Sequence, residues 1–213
     1  MRLQRPEPEV PESFAALIDQ LWAFAWLPQV TLEPISPPRA IAPFATAAAV
    51  SVETSLEEPC QGKLILLHDP AGQIAWAGDL RCVTFITTVI DWETLHEQDR
   101  ADEIWAWLVG ALENQGARFS CPSGTVTVVG STRYDGLEAQ LSQASIEIRA
   151  SWTPALDRPE ELTCHLRGWQ EFLLDSTGLL RLINESDGLT PLPAVWPPDG
   201  LALASPQFGQ AHL

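Results

Sequence analysis

The sequence is poor in basic residues. It contains 12 Lys and Arg against 28 Asp and Glu, a formal net charge of −16, and Lys63 is its only lysine. Nucleic acids and anionic membranes bind proteins through clustered Lys and Arg, whereas the arginines here are scattered singly along the chain. The composition therefore predicts no nucleic-acid partner and no membrane partner, and it favours a basic polypeptide if the chain binds a protein.

Motifs for metal, cofactor or nucleophilic chemistry are missing as well. The four cysteines stand at positions 60, 82, 121 and 164, so no CxxC pair occurs. No P-loop, GxGxxG, GxSxG or HExxH pattern is present. We expect no metal, no cofactor and no catalytic residue defined by a motif, and the balance lies against an enzyme.

Long apolar segments are also absent. The first apolar run, residues 14–27, is interrupted by Asp19 and Gln20 and is too short to span a bilayer. The N-terminal residues lack the apolar core of a signal peptide. These features predict a cytoplasmic protein whose thiols are reduced.

What the sequence does contain is a regular alternation of helix and strand patterns. Apolar residues recur at helical spacing in three stretches, around 14–25, 104–112 and 162–173. Strand-like runs cover 30–35, 47–53, 63–67, 80–90, 125–134 and 145–153. The order α-β(3–5)-α-β(2)-α predicts an α+β domain with an antiparallel sheet and three helices.

Prolines and turn residues divide the chain. We expect a loose tail at 1–10, a single domain at 11–183 and a Pro-rich C-terminal tail at 184–213. The run Asp69-Pro70-Ala71-Gly72 predicts a type I turn, because Asp bonds nearby backbone amides and Pro presets φ. Residues 73–77 would then return as the hairpin partner of 63–67.

Two of the predicted strands carry apolar side chains on both faces. In strand 80–90, Cys82 and Ile86 lie on one side, while Val83 and Phe85 lie on the other. The middle of the sheet is therefore expected to be covered twice. Either the three helices cover both faces, or one face is capped by a second subunit, by a partner or by the segment 189–196.

Three dipeptide or loop sites contain residue types that can carry chemistry. His68-Asp69 is interpreted as structural, because neighbouring strand residues point to opposite faces and Asp69 has a turn role. Cys164-His165 is interpreted as a packed cysteine beside an exposed histidine on a helix. Cys121 is the cysteine with an exposed, reactive loop setting, although no basic residue after Arg118 lies nearby in sequence to activate the thiol.

Three blocks of sequence are specific enough to suggest a family. LLHDPAGQIAWAGDLRCVTF at 66–85, CPSGTVTVV at 121–129 and SIEIRASWTP at 145–154 resemble the actinobacterial family called domain of unknown function 3000. The resemblance covers about residues 12–180 and implies a bacterial cytosolic protein. It carries over no catalytic residue, cofactor or substrate.

Two hypotheses follow for function. The first is a non-enzymatic, acidic protein-binding module, chaperone- or adaptor-like, since the element order is similar to that of secretion chaperones. Its partner would be another protein or a second copy, and the residues to probe are Trp76, Arg81, Arg149 and Trp152. The alternative is a small-molecule-binding domain or enzyme with a pocket near the Asp69–Gln73 turn and Cys121.

Overall fold

The computed structural model describes residues 9–38, 40–53, 60–91, 100–135 and 138–176. For residues 90, 91, 100, 131–135 and 138–144 it describes the backbone alone. The two tails expected at 1–10 and 184–213 lie largely or wholly outside these ranges, and so does the segment 189–196.

Three helices form where the apolar spacing predicts them. They are α1 (Glu12–Ala23), α2 (Arg100–Asn114) and α3 (Leu162–Ser176). Short 3-10 turns occupy Ile74–Trp76 and Pro159–Glu161. Six strands complete the described part: β1 (Val30–Ile35), β2 (Phe44–Val52), β3 (Cys60–Gln73), β4 (Gly78–Asp91), β5 (Phe119–Asp135) and β6 (Glu138–Pro154).

The strands form one antiparallel sheet with the order β1-β2-β3-β4-β6-β5. The prediction of an α+β domain with an antiparallel sheet and three helices is confirmed. The last four strands are longer than predicted. β5 and β6 in particular extend toward each other to Asp135 and Glu138, because the pairing continues as far as Asp135↔Glu138.

The predicted hairpin between residues 63–67 and residues 73–77 was wrong. Residues 73–77 are not the return strand, because β3 runs on to Gln73 and the chain reverses through the 3-10 turn Ile74–Trp76. Pairing resumes at Gln73↔Gly78 after an irregularity between His68 and Gln73. The turn predicted at residues 69–72 was wrong as well, because these residues lie within β3. Asp69 does form the expected local bond, since its Oδ1 accepts from the Ala71 amide at 3.1 Å.

All three helices pack on the same face of the sheet. One hydrophobic core joins them to the strand residues of that face, among them Leu64, Ile86 and Ile148, each at most 1% exposed. The crossing of α2 and α3 is close at Gly168, where an added Cβ would lie 2.7 Å from Leu112 Cα. For the described residues, the alternative in which the three helices cover both faces is therefore wrong.

Two buried tryptophans fasten α3 to the sheet. Trp169 Nε1 donates to Thr84 Oγ1 at 2.8 Å, and Trp152 Nε1 donates to His165 Nδ1 at 3.1 Å. Each bond satisfies an indole N–H that burial would otherwise leave without a partner. The sequence interpretation of Cys164-His165 was wrong, because His165 is 2% exposed and Cys164 is half-buried. The His165 ring faces inward because its Nδ1 accepts the N–H of the Trp152 indole.

The His165 contact makes stability depend on pH. Burial lowers the pKa of His165 from 6.5 to about 4, against a smaller opposing effect of Glu161. Folding thus favours the neutral ring, so its contribution is complete above pH 6.5 and is lost as pH falls toward 4. We expect a loss on the order of 3 kcal/mol at pH 4, since each pKa unit corresponds to about 1.4 kcal/mol.

The variant His165→Asn removes this titration and keeps an acceptor near Trp152. Urea unfolding between pH 7 and 4 should show a steeper fall in unfolding free energy for the wild type than for the variant. Equal pH dependence in the two proteins would contradict a neutral, buried His165.

Candidate functional site: the uncovered sheet face

The second face of the sheet carries no helix in the described part of the chain. Its side chains alternate with the core residues, so the strand registers place them in rows that cross the sheet. The apolar row consists of Ile35, Ala47, Ile65 and Val83, one from each of β1 to β4. Ile35, Ile65 and Val83 remain partly exposed, which is unusual for contiguous aliphatic residues on a sheet.

A second row, the charged row, runs parallel to the first. It consists of Glu33, Ala49, Lys63, Phe85 and Arg149. Lys63 and Arg149 lie opposite Phe85 on its two neighbouring strands, and the Arg149 guanidinium carbon is 5.5 Å from the ring centroid. Arg149 also pairs with Glu147 at 2.9 Å. Among the described residues Lys63 forms no ion pair, so its charge is available.

A groove of about 410 Å³ lies on this face, across the strands β1 to β4. We call it the sheet groove. Small residues form part of its floor. They are Ala49 and Ser51 from β2 and Gly62 from β3. Its sides carry the groups that could contact a ligand, namely Thr31, Glu33, Gln61, Lys63, Phe85 and Thr87.

The opposite end of the face is closed. Leu67 and Ala47 are 2% exposed there, although they lie on the face without helices. Gln73 Nε2 donates to the Ile41 carbonyl at 3.3 Å, which joins the β3–β4 hairpin to the link between β1 and β2. The face is thus covered by the chain itself at this end of β2 and β3, and the groove lies at the other end.

Arg81 is the chief polar group at the closed end. It is 6% exposed and donates four hydrogen bonds of 2.8–2.9 Å, all to neutral oxygens. The acceptors are the Cys121 carbonyl and the hydroxyls of Ser123, Ser151 and Thr153. Burial lowers the pKa of Arg81 below its usual value. The bonds from Nη1 and Nη2 join β4, β5 and β6 at this end of the sheet.

Two residues with a strained backbone lie next to the hydrogen bonds of Arg81. Cys121 and Ala77 adopt φ values of +50° and +53°, a conformation that residues with a Cβ rarely adopt. Cys121 lies where the β5–β6 register shifts between Ser120 and Ser123, and its carbonyl accepts from Arg81. Next to Ala77, the Trp76 carbonyl accepts from Thr153 Oγ1 at 2.5 Å. The strain is held in place by the hydrogen bonds around Arg81.

The structure separates the four residues that the sequence proposed for partner binding. Arg149 is exposed on the uncovered face, whereas Arg81 and Trp76 are buried at its closed end. Trp152 lies on the helix side and is 2% exposed. The surface that remains accessible therefore includes Arg149 and leaves out the other three.

Sequence reasoning missed Lys63, Phe85 and Glu33 as neighbours. The sequence does show that Phe85 is apolar and lies on the opposite face of its strand from Ile86. It also shows that Lys63 is the only lysine. Their adjacency depends on the β3–β4 and β1–β2 registers, which long-range pairing determines. The alternation of Lys63 with Leu64 and Leu66 was the available signal that Lys63 lies opposite the core face.

The alternative site near the Asp69–Gln73 turn and Cys121 is only partly assembled. The Cys121 thiol is exposed, and Arg81 supplies the nearby cation that the sequence did not reveal. Neither Cys121 nor residues 69–73 line the sheet groove. Cys60 and Cys82, by contrast, are buried, and burial raises their pKa to about 11 and about 12.

A family model described as a protein of unknown function, DUF3000, matches residues 10–182. The chain belongs to this family. The matched range contains all three helices and all six strands of the described part, so the DUF3000 domain includes the whole sheet and its groove. No curated protein and no solved structure matches the chain.

Two features are absent from the described residues of the DUF3000 domain. No group of three or more His, Cys, Asp or Glu is placed to hold a metal ion. No helix there has both the length and the apolar character that crossing a membrane requires.

The hydrogen bonds of Arg81 predict that replacing it by methionine destabilises the fold strongly. Arg81→Met leaves four acceptors without their donor and should lower the unfolding free energy by about 2–4 kcal/mol. Arg149→Met is the matched control, because its ion pair is exposed and should contribute less than about 1 kcal/mol. Urea denaturation of both variants measures the difference. Similar losses in the two would contradict a structural role for Arg81.

Proposed function

We propose that the DUF3000 domain is a non-enzymatic protein-binding module, chaperone- or adaptor-like and cytoplasmic. Its sheet groove would receive an extended segment of a basic polypeptide with apolar side chains. The single observation that carries the proposal is a sheet face with a row of partly exposed aliphatic residues and a groove beside it, opposite a fully packed helix layer.

The shape of the groove favours a polypeptide. It crosses four strands and lies over small side chains, Ala49 and Ser51, which let a bound chain approach the sheet. Phe85 lines the groove, and Ile65 and Val83 add apolar surface in the neighbouring row of the same face. Alternate side chains of an extended segment would reach this surface, while the intervening ones would face solvent.

The charges of the face suit the polar parts of such a segment. Glu33 can accept hydrogen bonds from a basic side chain, and Lys63 can donate to a backbone carbonyl or a carboxylate. The net charge of −16 adds a long-range attraction for basic partners, which salt screens. We therefore expect affinity to fall as ionic strength rises.

A small-molecule site at Cys121 remains the second candidate, because an exposed thiol lies close to a guanidinium. It is less favoured, since the Nη donors of Arg81 are engaged by neutral oxygens of the chain itself. Labelling with a thiol-reactive probe tests it. A Cys121 that reacts no faster than a free thiol would remove its best nucleophile.

The main proposal is tested with labelled peptides in a fluorescence anisotropy assay. Two sets of extended peptides share the same apolar residues and carry either Lys and Arg or Asp and Glu at the remaining positions. We expect the basic set to bind more tightly, and to bind at least about tenfold more weakly after Ala49→Arg fills the groove.

Ala101→Arg is the matched control. It makes the same substitution on an exposed position of α2, and it changes the net charge equally. It should leave peptide affinity within about twofold. The proposal fails if neither peptide set binds, or if Ala101→Arg weakens binding as much as Ala49→Arg.

A further inference from the structure

The two edge strands of the sheet differ in how they are protected. In the described part of the chain β1 and β5 are the outer strands, and an outer strand presents unpaired N–H and C=O groups that can pair with another chain. In an antiparallel ladder every second residue directs its backbone groups away from the neighbouring strand. Short length, charged residues and proline protect an outer strand from such pairing. A further strand can therefore pair with the outer strand that lacks them.

β1 carries the usual protection. It is six residues long and contains Glu33 and Pro34. A charge must be desolvated when a strand pairs beside it, and proline has no N–H to donate. The short length limits pairing further, so a second strand gains little on this edge.

β5 lacks such protection over most of its length. It is 17 residues long, and residues 119–132 contain no charged side chain. Its one proline, Pro122, lies in the irregular part between Ser120 and Ser123. From Ser123 to Ser131 the register with β6 is unbroken. Thr125, Thr127 and Val129 are exposed there, Val129 at 54%.

We propose that two copies of the chain pair through antiparallel β5 edges to form a dimer with a continuous twelve-stranded sheet. A twofold axis normal to the sheet makes β5 antiparallel to its own copy, so each strand supplies donors and acceptors to the other. The pairing keeps both helix layers on one side and both grooves on the other.

The lack of charge on the β5 edge suits a second copy of the chain as its occupant. Two molecules that each carry −16 repel, so they can associate only where the contact itself brings no like charges together. The uncharged edge of β5 meets that condition. One strand inward, Glu147 and Arg149 are already paired with each other. A basic partner attracted by charge finds no acidic residue to recognise along residues 119–132.

The size of the contact sets its strength. One strand pair of about nine residues buries less than a standard interface of roughly 1,600 Å². We therefore expect a reversible dimer with a dissociation constant in the micromolar range. Because salt screens the repulsion between two acidic copies, dimerisation should tighten as salt rises. Binding of a basic peptide in the groove should weaken under the same change, which distinguishes the two interactions.

Sedimentation equilibrium of the full chain over a range of concentrations tests the proposal at about 0.05 M and 0.5 M salt, where the Debye length changes severalfold. Thr127→Lys places a charge on the β5 edge and should weaken dimerisation at least about tenfold. Thr127→Lys also makes each chain less negative, which lowers the repulsion between two copies. A loss of dimer therefore cannot come from the change in net charge.

Thr31→Lys is the matched control, because it makes the same substitution on the exposed, protected edge strand β1. It should leave the dimer intact, and circular dichroism confirms the fold of both variants. The proposal is overturned by a wild-type chain that stays monomeric at every concentration, as it would be if residues 177–213 or a foreign strand occupied β5. It is also overturned if Thr127→Lys dimerises like Thr31→Lys.

Discussion

The packing of three helices against one face of the sheet is the interaction on which the rest of the structure depends. Trp152 and Trp169 anchor it, because each buries a large ring and directs its N–H to a specific acceptor, His165 or Thr84. Gly168 allows α2 and α3 to cross closely enough to complete the layer. With all three helices on one side, the aliphatic residues of the other side have no helix of the described chain to pack against.

The face without helices has two distinct ends. At one end Arg81 joins three strands through neutral acceptors, and the strained residues Cys121 and Ala77 are held beside it. A buried guanidinium with its Nη donors satisfied is a structural element. At the other end the sheet groove offers Lys63, Phe85 and Glu33 on a floor of small side chains. The polar cluster thus rigidifies the sheet, and the groove is where we propose that a partner binds.

The sequence predicted those features that depend on local spacing. The helices followed from apolar residues three and four apart, and the two-sided strands from Val83 and Phe85 alternating with Cys82 and Ile86. Features that depend on distant pairing were missed. The β3–β4 hairpin turns at Ile74–Trp76 because Gln73 pairs with Gly78, which no turn rule for Asp69-Pro70 reveals. His165 is buried because Trp152, on another element, needs an acceptor.

The central claim is that one face of the sheet is packed and the other is accessible in the whole chain. Hydroxyl-radical footprinting of the full-length protein measures this side chain by side chain. The account predicts that Phe85 and Val83 are modified readily while Trp152 and Trp169 are protected until the protein unfolds. Protection of Phe85 and Val83 equal to that of the two tryptophans, in a monomer without a partner, would contradict it.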